Sequence, residues 1–231
     1  MIALGERIRR DEQMDDPALD PVVYDRVLRD LSRANAWTFA GRPTLSFLAR
    51  ATHGMSAFRL LDVGFGHGDM LRRIARWARR HGIAAELVGV DLNPRSEIAA
   101  RAATPSDLPI GYFTGDYRDL EGGFDFIVSS LVAHHMTDPE LDAFVRFMES
   151  EARRGWLVND LHRHRFAYHG FPLLARLLGV HRIVREDGQL SIARAFRPGE
   201  WRAILAAAGV PADSARIVRR FPLRLCVERM R

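Results

Sequence analysis

The sequence predicts an α/β fold in which a mostly parallel sheet is covered by helices on both faces. Three observations support this prediction. Apolar runs typical of buried strands alternate with amphipathic helical segments over residues 57–160. A glycine-rich stretch, LLDVGFGHGD (60–69), joins the first of these runs to the next helix. Near the end of the chain, two strand-like runs are separated only by a tight turn. Such a short connection requires that the last two strands pair antiparallel.

The N-terminal third is predicted to be helical, with no strand of its own. Residues 1–18 are polar, and we expect them to be loosely held. Asp20 followed by Pro21 has the pattern of an N-cap with proline at the first helical position. Gly41 interrupts this first helix, and Pro43 begins a second one. Because residues 20–50 lie outside the predicted sheet, we interpret them as a helical lid over the site.

The central segment is predicted to contain five strands with helices between them. The strand-like runs are FRLLDV (58–63), ELVGVD (86–91), IGYFTGD (110–116), FDFIVSS (124–130) and GWLVND (155–160). The helical runs are DMLRRIARWARRHG (69–82), SEIAARAA (96–103) and DPELDAFVRFMESEARR (138–154). We expect Asp138 to cap the last of these, with Pro139 at the first helical position.

The C-terminal third departs from this alternation. Residues 162–197 contain no clear strand and one short helix in FPLLARLLG (171–179). Long segments without strands in compact domains tend to be functional. We therefore interpret this segment as an insertion beside a ligand site, on the side of the second substrate, which we call the acceptor. PGEWRAILAAAG (198–209) predicts a helix, and ARIVRRFPLRLCVERM (215–230) predicts the antiparallel strand pair.

Polar and small residues follow each of the first four predicted strands. Ligands of open α/β sheets bind beyond the carboxyl ends of the strands. An aspartate after the second strand can accept hydrogen bonds from both hydroxyls of a ribose, and one after the third can accept from an adenine amine. The pattern therefore predicts a nucleoside site. Its candidate residues are Asp62, Gly64, Gly66, Gly68, Asp91, Leu92, Asp116, Tyr117, Ser129 and Ser130.

The glycine spacing argues against a dinucleotide. The dinucleotide fingerprint is G-x-G-x-x-G, whereas this loop reads G-x-G-x-G and has Asp69 where the third glycine would fall. The additional carboxylate of Asp62 suits a ligand that carries an amine and repels a pyrophosphate.

Four stretches, LLDVGFGHGD, VGVDLNP, GDYRDL and FDFIVSSLVAHHM, resemble the successive motifs of class I S-adenosylmethionine (SAM)-dependent methyltransferases. The resemblance implies a Rossmann-like, doubly wound, seven-stranded sheet in the order 3-2-1-4-5-7-6, with SAM as the cofactor. It implies that the three glycines accommodate the methionine part of SAM and that Asp62 lies near its amino group. Asp91 would hold the ribose, and Asp116 the adenine with Tyr117 beside it. The chain would form one domain, residues 1–231, with 57–160 as SAM-binding core and 198–231 as a helix plus the antiparallel strand pair.

The acceptor is indicated by a narrower resemblance. RDLSRANAWTFAGRPTLSFL (29–48) and VNDLHRHRFAYHGF (158–171), with VREDGQLSIARAF (184–196), are similar to quinone-biosynthesis and type III polyketide-associated bacterial methyltransferases. This implies a small phenolic or polyketide-like acceptor, with O-methylation favoured over C-methylation. Five aromatic side chains suit such a pocket, although they also suit ordinary core packing: Trp37, Phe39, Phe166, Tyr168 and Phe171.

Other acceptors and other functions stay open at this point. The segment after strand four lacks the N-P-P-Y or D-P-P-Y motif of enzymes that methylate base amines, which argues against nucleic acid. RNA or protein methylation, nucleotide-dependent oxidoreduction and SAM binding without catalysis remain as alternatives.

Histidines offer a base for a phenolic proton. His134 and His135 follow strand four, and His162 and His164 follow strand five. We prefer His135 and His162 as catalytic residues, with packing or hydrogen bonding as the alternative role. Asn159 and Asp160 add to a polar cluster there, but their order is the reverse of that in metal-dependent catechol methyltransferases, so no metal ligand is predicted.

Composition sets further limits. The net charge is +5, and no lysine occurs, so all 34 basic side chains are arginines. They are scattered, whereas nucleic-acid binders often concentrate charge on one face. No apolar run approaches the ~18 residues of a membrane span. The single cysteine, Cys226, cannot form an internal disulfide. Since the first residues also lack the apolar core of a signal peptide, we expect a cytoplasmic protein. We further expect a monomer or homodimer whose partner is a small molecule.

Overall fold

The computed structural model describes residues 4–120 and 122–231. Its centre is a seven-stranded sheet in the order β3-β2-β1-β4-β5-β7-β6. The first five strands pair in parallel, and β7 runs antiparallel between β5 and β6. This confirms the predicted fold class. The strands are β1 (Ala57–Val63), β2 (Ala84–Asp91), β3 (Ile110–Thr114), β4 (Phe126–Ser130), β5 (Gly155–Leu161), β6 (Ala215–Arg220) and β7 (Arg224–Met230).

Helices cover both faces of the sheet. They are α1 (Pro21–Trp37), α2 (Arg42–Ala51), α3 (Asp69–Arg80), α4 (Pro94–Ala103), α5 (Asp138–Glu151), α6 (Arg165–Leu177), α7 (Arg182–Arg194) and α8 (Pro198–Ala207). Successive strand residues point to opposite faces. On β1, Leu60 therefore joins the core beneath α2 and α3, whereas Leu61 joins the core beneath α5 and α8. In the described part of the chain, no helix is long and apolar enough to span a membrane.

The first helix begins as the sequence predicts, and the second begins at Arg42, one residue before the predicted start at Pro43. The carboxylate of Asp20 accepts hydrogen bonds from the backbone N–H groups of Val22 and Val23, and Pro21 opens α1. The apolar face of α1 packs on α6 and α7 in a small separate core that includes Val27, Ala34 and Val184. The predicted lid and the 162–197 insertion are thus packed together beyond the carboxyl ends of the strands.

The insertion holds more structure than predicted. Two helices, α6 and α7, replace the single short helix expected at 171–179. Pro172 inside α6 and Gly188 inside α7 weaken the helical signal, since both residues have low helix propensity. A Cβ at Gly188 would collide with the ring of Phe171, so the glycine lets the two helices approach closely. Tertiary packing therefore overrides local propensity here.

Residues 4–18 are not loosely held, which corrects the prediction for this segment. The buried guanidinium of Arg163 donates to the backbone oxygen of Leu4, and Arg7 donates to that of Arg194. The buried carboxylate of Glu12 accepts a hydrogen bond of 2.7 Å from Ser191. Hydrogen bonds of this kind leave no hydrophobic periodicity, so the polar sequence looked unstructured.

The cap of α5 is also corrected. Thr137, not Asp138, is the N-cap, because its hydroxyl accepts from the backbone N–H of Glu140 while the Glu140 carboxylate accepts from that of Thr137. This reciprocal capping box satisfies two donors, which a cap at Asp138 would not do. Asp138 is instead the first helical residue, where it pairs with Arg7 and Arg9.

Candidate active site

A cavity of about 730 Å³ lies beyond the carboxyl ends of β1 to β4. Its floor is the glycine loop between β1 and α3, together with the ends of β2, β3 and β4. Its roof is formed by α1, α6 and α7, and part of one wall by residues 12–15. The lid and the insertion therefore enclose the same space that the strand ends open onto.

The glycines of the loop serve different purposes. Gly64 and Gly66 both have positive φ angles, 78° and 52°, and both line the cavity. A Cβ at Gly64 would collide with Val132, whereas one at Gly66 would meet nothing within 4 Å. Gly66 is therefore the position where a ligand can approach the backbone most closely.

Gly68, predicted to contact the ligand, does not line the cavity. It caps α3 with a φ of 73°, and a Cβ there would fall 2.6 Å from the hydroxyl oxygen of Tyr112. Packing against β3, not ligand approach, explains this glycine.

The Asp62 carboxyl is buried in the cavity floor without a partner. It is 1 % exposed, and its Oδ1 has no hydrogen-bond partner among the described residues. Burial raises the pKa of Asp62 to about 8, and the neighbouring carboxyls of Asp69 and Asp91 add to the effect. A buried polar atom without a partner is costly, so this position favours a ligand with a positively charged donor.

Asp91 ends β2 and faces the glycine loop. Its Oδ2 accepts from the backbone N–H of Gly66 at 2.9 Å, and its Oδ1 accepts from that of Asn93 at 2.9 Å. Burial raises the pKa of this carboxyl as well. A carboxylate offers about four acceptor positions, so capacity remains for hydroxyl donors. Leu92 beside it is 77 % exposed and lines the cavity.

The ends of β3 and β4 contribute unequally. Asp116, Tyr117 and Ser130 line the cavity. The carboxylate of Asp116 is bound by Arg118, with an Oδ2 to Nη2 distance of 2.6 Å. Ser129 does not line the cavity, because its hydroxyl is buried and donates to the backbone oxygen of Val63.

A group of acidic residues and histidines lies at the wall to which residues 12–15 contribute, and all of its members except Asp160 line the cavity. We call Glu12, Asp15, His134, His135 and Asp160 the Glu12 cluster. His134 Nδ1 lies 2.7 Å from Asp160 Oδ1, and His135 Nδ1 lies 3.2 Å from Asp15 Oδ2. The Nε2 atoms of the two histidines lie 3.7 and 3.6 Å from Glu12 Oε1. Burial raises the pKa of Glu12 to about 6.

His162 is corrected as a candidate base. It lies outside the cavity, where its backbone N–H donates to the oxygen of Leu223. Burial lowers the pKa of His162 to about 4, and Arg219 and His164 contribute further. An imidazole with so low a pKa is a poor proton acceptor at neutral pH. His164 also lies outside the cavity, and its Nδ1 accepts a hydrogen bond from the backbone N–H of Phe166 as the N-cap of α6.

The polar cluster expected after β5 does not assemble. Asn159 donates to the backbone oxygen of Ala40 at 2.7 Å, which ties β5 to the lid. Asp160 instead belongs to the Glu12 cluster through His134. Of the five aromatic candidates, four line the cavity, and Tyr168 does not. The four are Trp37, Phe39, Phe166 and Phe171.

Three charged side chains at the cavity stand out among those that were not predicted: Glu12, Asp15 and Arg224. Glu12 and Asp15 come from a segment expected to be loose. Arg224, at the start of β7, is 3 % exposed and lines the cavity. Its Nη2 donates to Thr38 at 3.0 Å, whereas its Nη1 has no hydrogen-bond partner among the described residues. An arginine directly after a Phe-Pro-Leu turn carries no sequence signal of this role.

Comparisons with known proteins were made for both the sequence and the fold. Residues 60–155 match the model of a family described as a methyltransferase domain. No curated protein matches the sequence.

Solved methyltransferase structures share the fold. The plantazolicin methyltransferase BpumL in complex with S-adenosylhomocysteine (SAH) has a TM-score of 0.63 at 12% identity, over 91% of this chain and 96% of its own. Magnesium protoporphyrin IX methyltransferase from Synechocystis PCC 6803 with bound SAH gives 0.56 at 16% identity, over 95% and 91%. A SAM-dependent methyltransferase from Aquifex aeolicus gives 0.57 at 15% identity, over 87% and 97%.

At these identities, the structural likeness shows the fold alone, whereas the domain match indicates methyl transfer. The chain therefore has the class I methyltransferase fold, with a methyltransferase domain match over residues 60–155, and neighbours crystallised with SAH or SAM are consistent with SAM as its cofactor. The acceptor is not specified by either comparison, because the neighbours are named for acceptors as different as plantazolicin and magnesium protoporphyrin IX.

Proposed function

We propose that this enzyme methylates a small phenolic or polyketide-like acceptor, with transfer to oxygen favoured over transfer to carbon. The observation that carries the proposal is the continuity of the cavity. One continuous space reaches from Asp62 and Asp91 at the strand ends to the aromatic side chains of the roof. Its volume of about 730 Å³ lies within the ~300–1,000 Å³ of small-molecule sites.

The residues of the floor fit SAM. Asp62 offers a buried carboxyl without a partner to the amino group, and Asp91 offers free acceptor positions to the ribose hydroxyls. We propose that Leu92, Asp116 and Tyr117 border the adenine and that Gly64, Gly66 and Ser130 border the methionine part. SAM, when bound, would supply a methyl group on a sulfonium: the acceptor atom bonds to the methyl carbon as the carbon–sulfur bond breaks in line and SAH leaves as a thioether. The protein aligns the two partners and excludes water.

The roof favours an apolar, aromatic acceptor. Trp37 and Phe166 are 65 and 79 % exposed although they border the cavity, so a planar acceptor could cover both rings. Arg224 adds an unpartnered N–H donor on a buried cation. We propose that it binds an acidic group of the acceptor, such as a carboxylate or a second phenolic oxygen. Aromatic acceptors with an acidic group are accordingly the first class to test.

The acceptor hydroxyl must lose its proton as the methyl group arrives. Its pKa is near 10, so about one phenol in a thousand is ionised at pH 7. His135 is the member of the Glu12 cluster that faces the cavity with a side chain 30% exposed. We propose that the hydroxyl approaches this cluster and that His135 assists the loss of its proton.

A methyl-transfer screen tests the proposal. Purified enzyme, SAM and a panel of phenols, with and without carboxyl groups, would be analysed by mass spectrometry for a gain of one methyl group. Transfer to a phenolic oxygen is expected, with acidic phenols favoured. Transfer only to RNA, to protein or to carbon would overturn the acceptor assignment. SAM binding measured by calorimetry, with NAD as the comparison ligand, separates a wrong acceptor from a failure to bind the cofactor.

A further inference from the structure

The Glu12 cluster has a geometry that the methyl-transfer reaction alone does not require. One ligand atom from each of Glu12, His134 and His135 lies within 4.8 Å of the other two. Two of these residues are buried, and all three border the cavity. The two Nε2 atoms lie 3.7 and 3.6 Å from Glu12 Oε1. These distances match those between ligands of one ion, since metal–nitrogen and metal–oxygen bonds of ~2.0–2.2 Å place ligands roughly 3–4 Å apart.

Hydrogen bonding fixes which nitrogen atoms face that centre. A carboxylate can only accept, so the Nδ1 of His134 must carry the proton in its 2.7 Å contact with Asp160. The same argument places the proton on the Nδ1 of His135 in its 3.2 Å contact with Asp15. In the neutral imidazoles, both Nε2 atoms then carry a lone pair, and they lie 3.7 and 3.6 Å from Glu12 Oε1.

Three acceptors facing one another repel unless a cation lies between them. The outer carboxylates of Asp15 and Asp160 are also what metal sites use, because they orient each imidazole and increase its basicity. Two histidines and one carboxylate form the facial triad of non-haem iron sites, and a His₂Glu set also binds catalytic zinc.

The surrounding charges favour a divalent ion. Glu12, Asp15 and Asp160 provide three carboxyl groups within this cluster. Two arginines oppose these charges: Arg194, whose Nη1 is 3.8 Å from Glu12 Oε1, and buried Arg224, which interacts electrostatically with Asp160. Two positive charges against three carboxyl groups leave room for a cation. The N–H groups of Arg194 donate to the backbone oxygens of Arg10, His134 and His135. Arg194 therefore positions the backbone of the cluster and makes no direct hydrogen bond to its carboxylates. The Ser191 hydroxyl also donates to Glu12, which orients this carboxylate.

We propose that Glu12, His134 and His135 bind one divalent first-row transition-metal ion at the wall of the cavity. The remaining positions of the ion face the space assigned to the acceptor. If the proposed function holds, an acceptor hydroxyl bound there loses its proton more readily than in water, because the ion stabilises the phenolate. His135 then acts as a ligand that assists proton loss through the ion.

Metal binding is tested without SAM or acceptor, so the result does not depend on the proposed function. Protein free of any polyhistidine tag is first dialysed against a chelator. Zn²⁺ is titrated by calorimetry, Co²⁺ by its visible absorption, and Mg²⁺ serves as a hard cation that prefers oxygen ligands. In separate titrations, one Zn²⁺ ion or one Co²⁺ ion per chain is expected to bind, with no comparable binding of Mg²⁺.

Variants locate the ion. Loss of an outer ligand partner typically weakens metal binding about 10–100-fold, so D15N should fall in that range. E12Q and H135Q remove direct ligands and should weaken Zn²⁺ binding by about 100-fold or more. His53 is an exposed histidine outside the cavity, and H53Q is the matched control that should bind normally.

Three results would overturn the proposal. They are no binding of Zn²⁺ or Co²⁺ by the wild-type protein, affinity in E12Q and H135Q within about threefold of wild type, or an equal loss in H53Q. Circular dichroism melts confirm that each variant is folded at the assay temperature. The first result would mean that a proton shared between Glu12 and the histidines, not a metal ion, fills the centre.

Discussion

At the scale of single residues, the two buried carboxyl groups of the cavity floor differ in their hydrogen bonding within the folded protein. Asp91 already accepts two backbone hydrogen bonds and has acceptor positions left for a ligand. Asp62 has an oxygen with no partner among the described residues. Most of this could not be predicted from the sequence, which places both aspartates at the carboxyl ends of strands but does not show that the fold provides hydrogen-bond partners for only one of them.

The Asp91→Asn variant should bind SAM at least tenfold more weakly. A hydrogen bond to a charged acceptor contributes roughly 1.5–3 kcal/mol, and the amide can accept at only one of its two positions. Titration calorimetry with SAM measures the loss. Asp107→Asn, a change at an exposed carboxyl paired with Arg79, is the control and should leave affinity unchanged. Equal affinity in Asp91→Asn would mean that this carboxyl does not meet the cofactor.

Asp62 predicts a pH dependence. Its pKa is raised to about 8 in the folded protein from 3.8 in the unfolded chain. The folded state therefore retains a proton that the unfolded chain has lost. The stability contributed by this proton is fully present below pH 4 and falls as the pH rises through about 8. Without ligand, melting temperature should decline from pH 5 to pH 8, and Asp62→Asn should flatten the decline.

The same carboxyl should link SAM binding to proton release. An ammonium group pairs only with the ionised form, so affinity should rise from pH 6 to pH 7.5, by up to about tenfold per unit. Calorimetry in buffers of different ionisation enthalpy counts the protons released. Binding that is independent of pH and of buffer would place the amino group elsewhere.

At the scale of elements, the glycine loop combines a ligand-facing position with a packing position. Gly66→Ala adds a methyl group toward open cavity, whereas Gly68→Ala drives one against Tyr112. Both positions have positive φ, so both variants carry a backbone cost of about 1–2 kcal/mol. Gly68→Ala should lose more stability because of the added clash, and Gly66→Ala should lose more SAM affinity. Thermal melts and calorimetry on the pair compare the two effects directly.

The lid helix α1 makes a prediction about the acceptor. Trp37→Ala should raise the KM for the acceptor and leave the SAM affinity unchanged, because the ring lies on the roof and not on the floor. Val22→Ala, at another exposed apolar position of the same helix, is the control. A changed SAM affinity in Trp37→Ala, with normal acceptor KM, would contradict the assignment of roof and floor.

At the scale of the whole molecule, the sheet could be predicted because its signals are local. Each strand is a short apolar run, and the resemblance of four successive motifs supplied the strand order. The Glu12 cluster could not be predicted, because its members come from distant segments and depend on hydrogen bonds through Arg194 and Ser191. His162 shows the converse, since its position after β5 predicted a site residue, whereas the structure does not place it at the cavity.

SAM should stabilise the folded chain as a whole. At a concentration 100-fold above its dissociation constant, a ligand that binds only the native state contributes about 2.7 kcal/mol. For a chain of 231 residues, this corresponds to a rise in melting temperature of roughly 5–10 °C. Differential scanning fluorimetry with SAM or SAH measures the shift, and NAD is the control ligand. A shift with NAD equal to that with SAM would contradict the cofactor assignment.

The hydrogen bond between Glu12 and Ser191 joins positions 179 residues apart. During synthesis, the carboxylate therefore leaves the ribosome long before the helix that holds it in place. The active-site wall can close only after most of the chain has been made, so an incomplete chain ending before α7 would lack this support for Glu12. The Glu12 cluster thus assembles late in synthesis, when the first and last thirds of the chain have met.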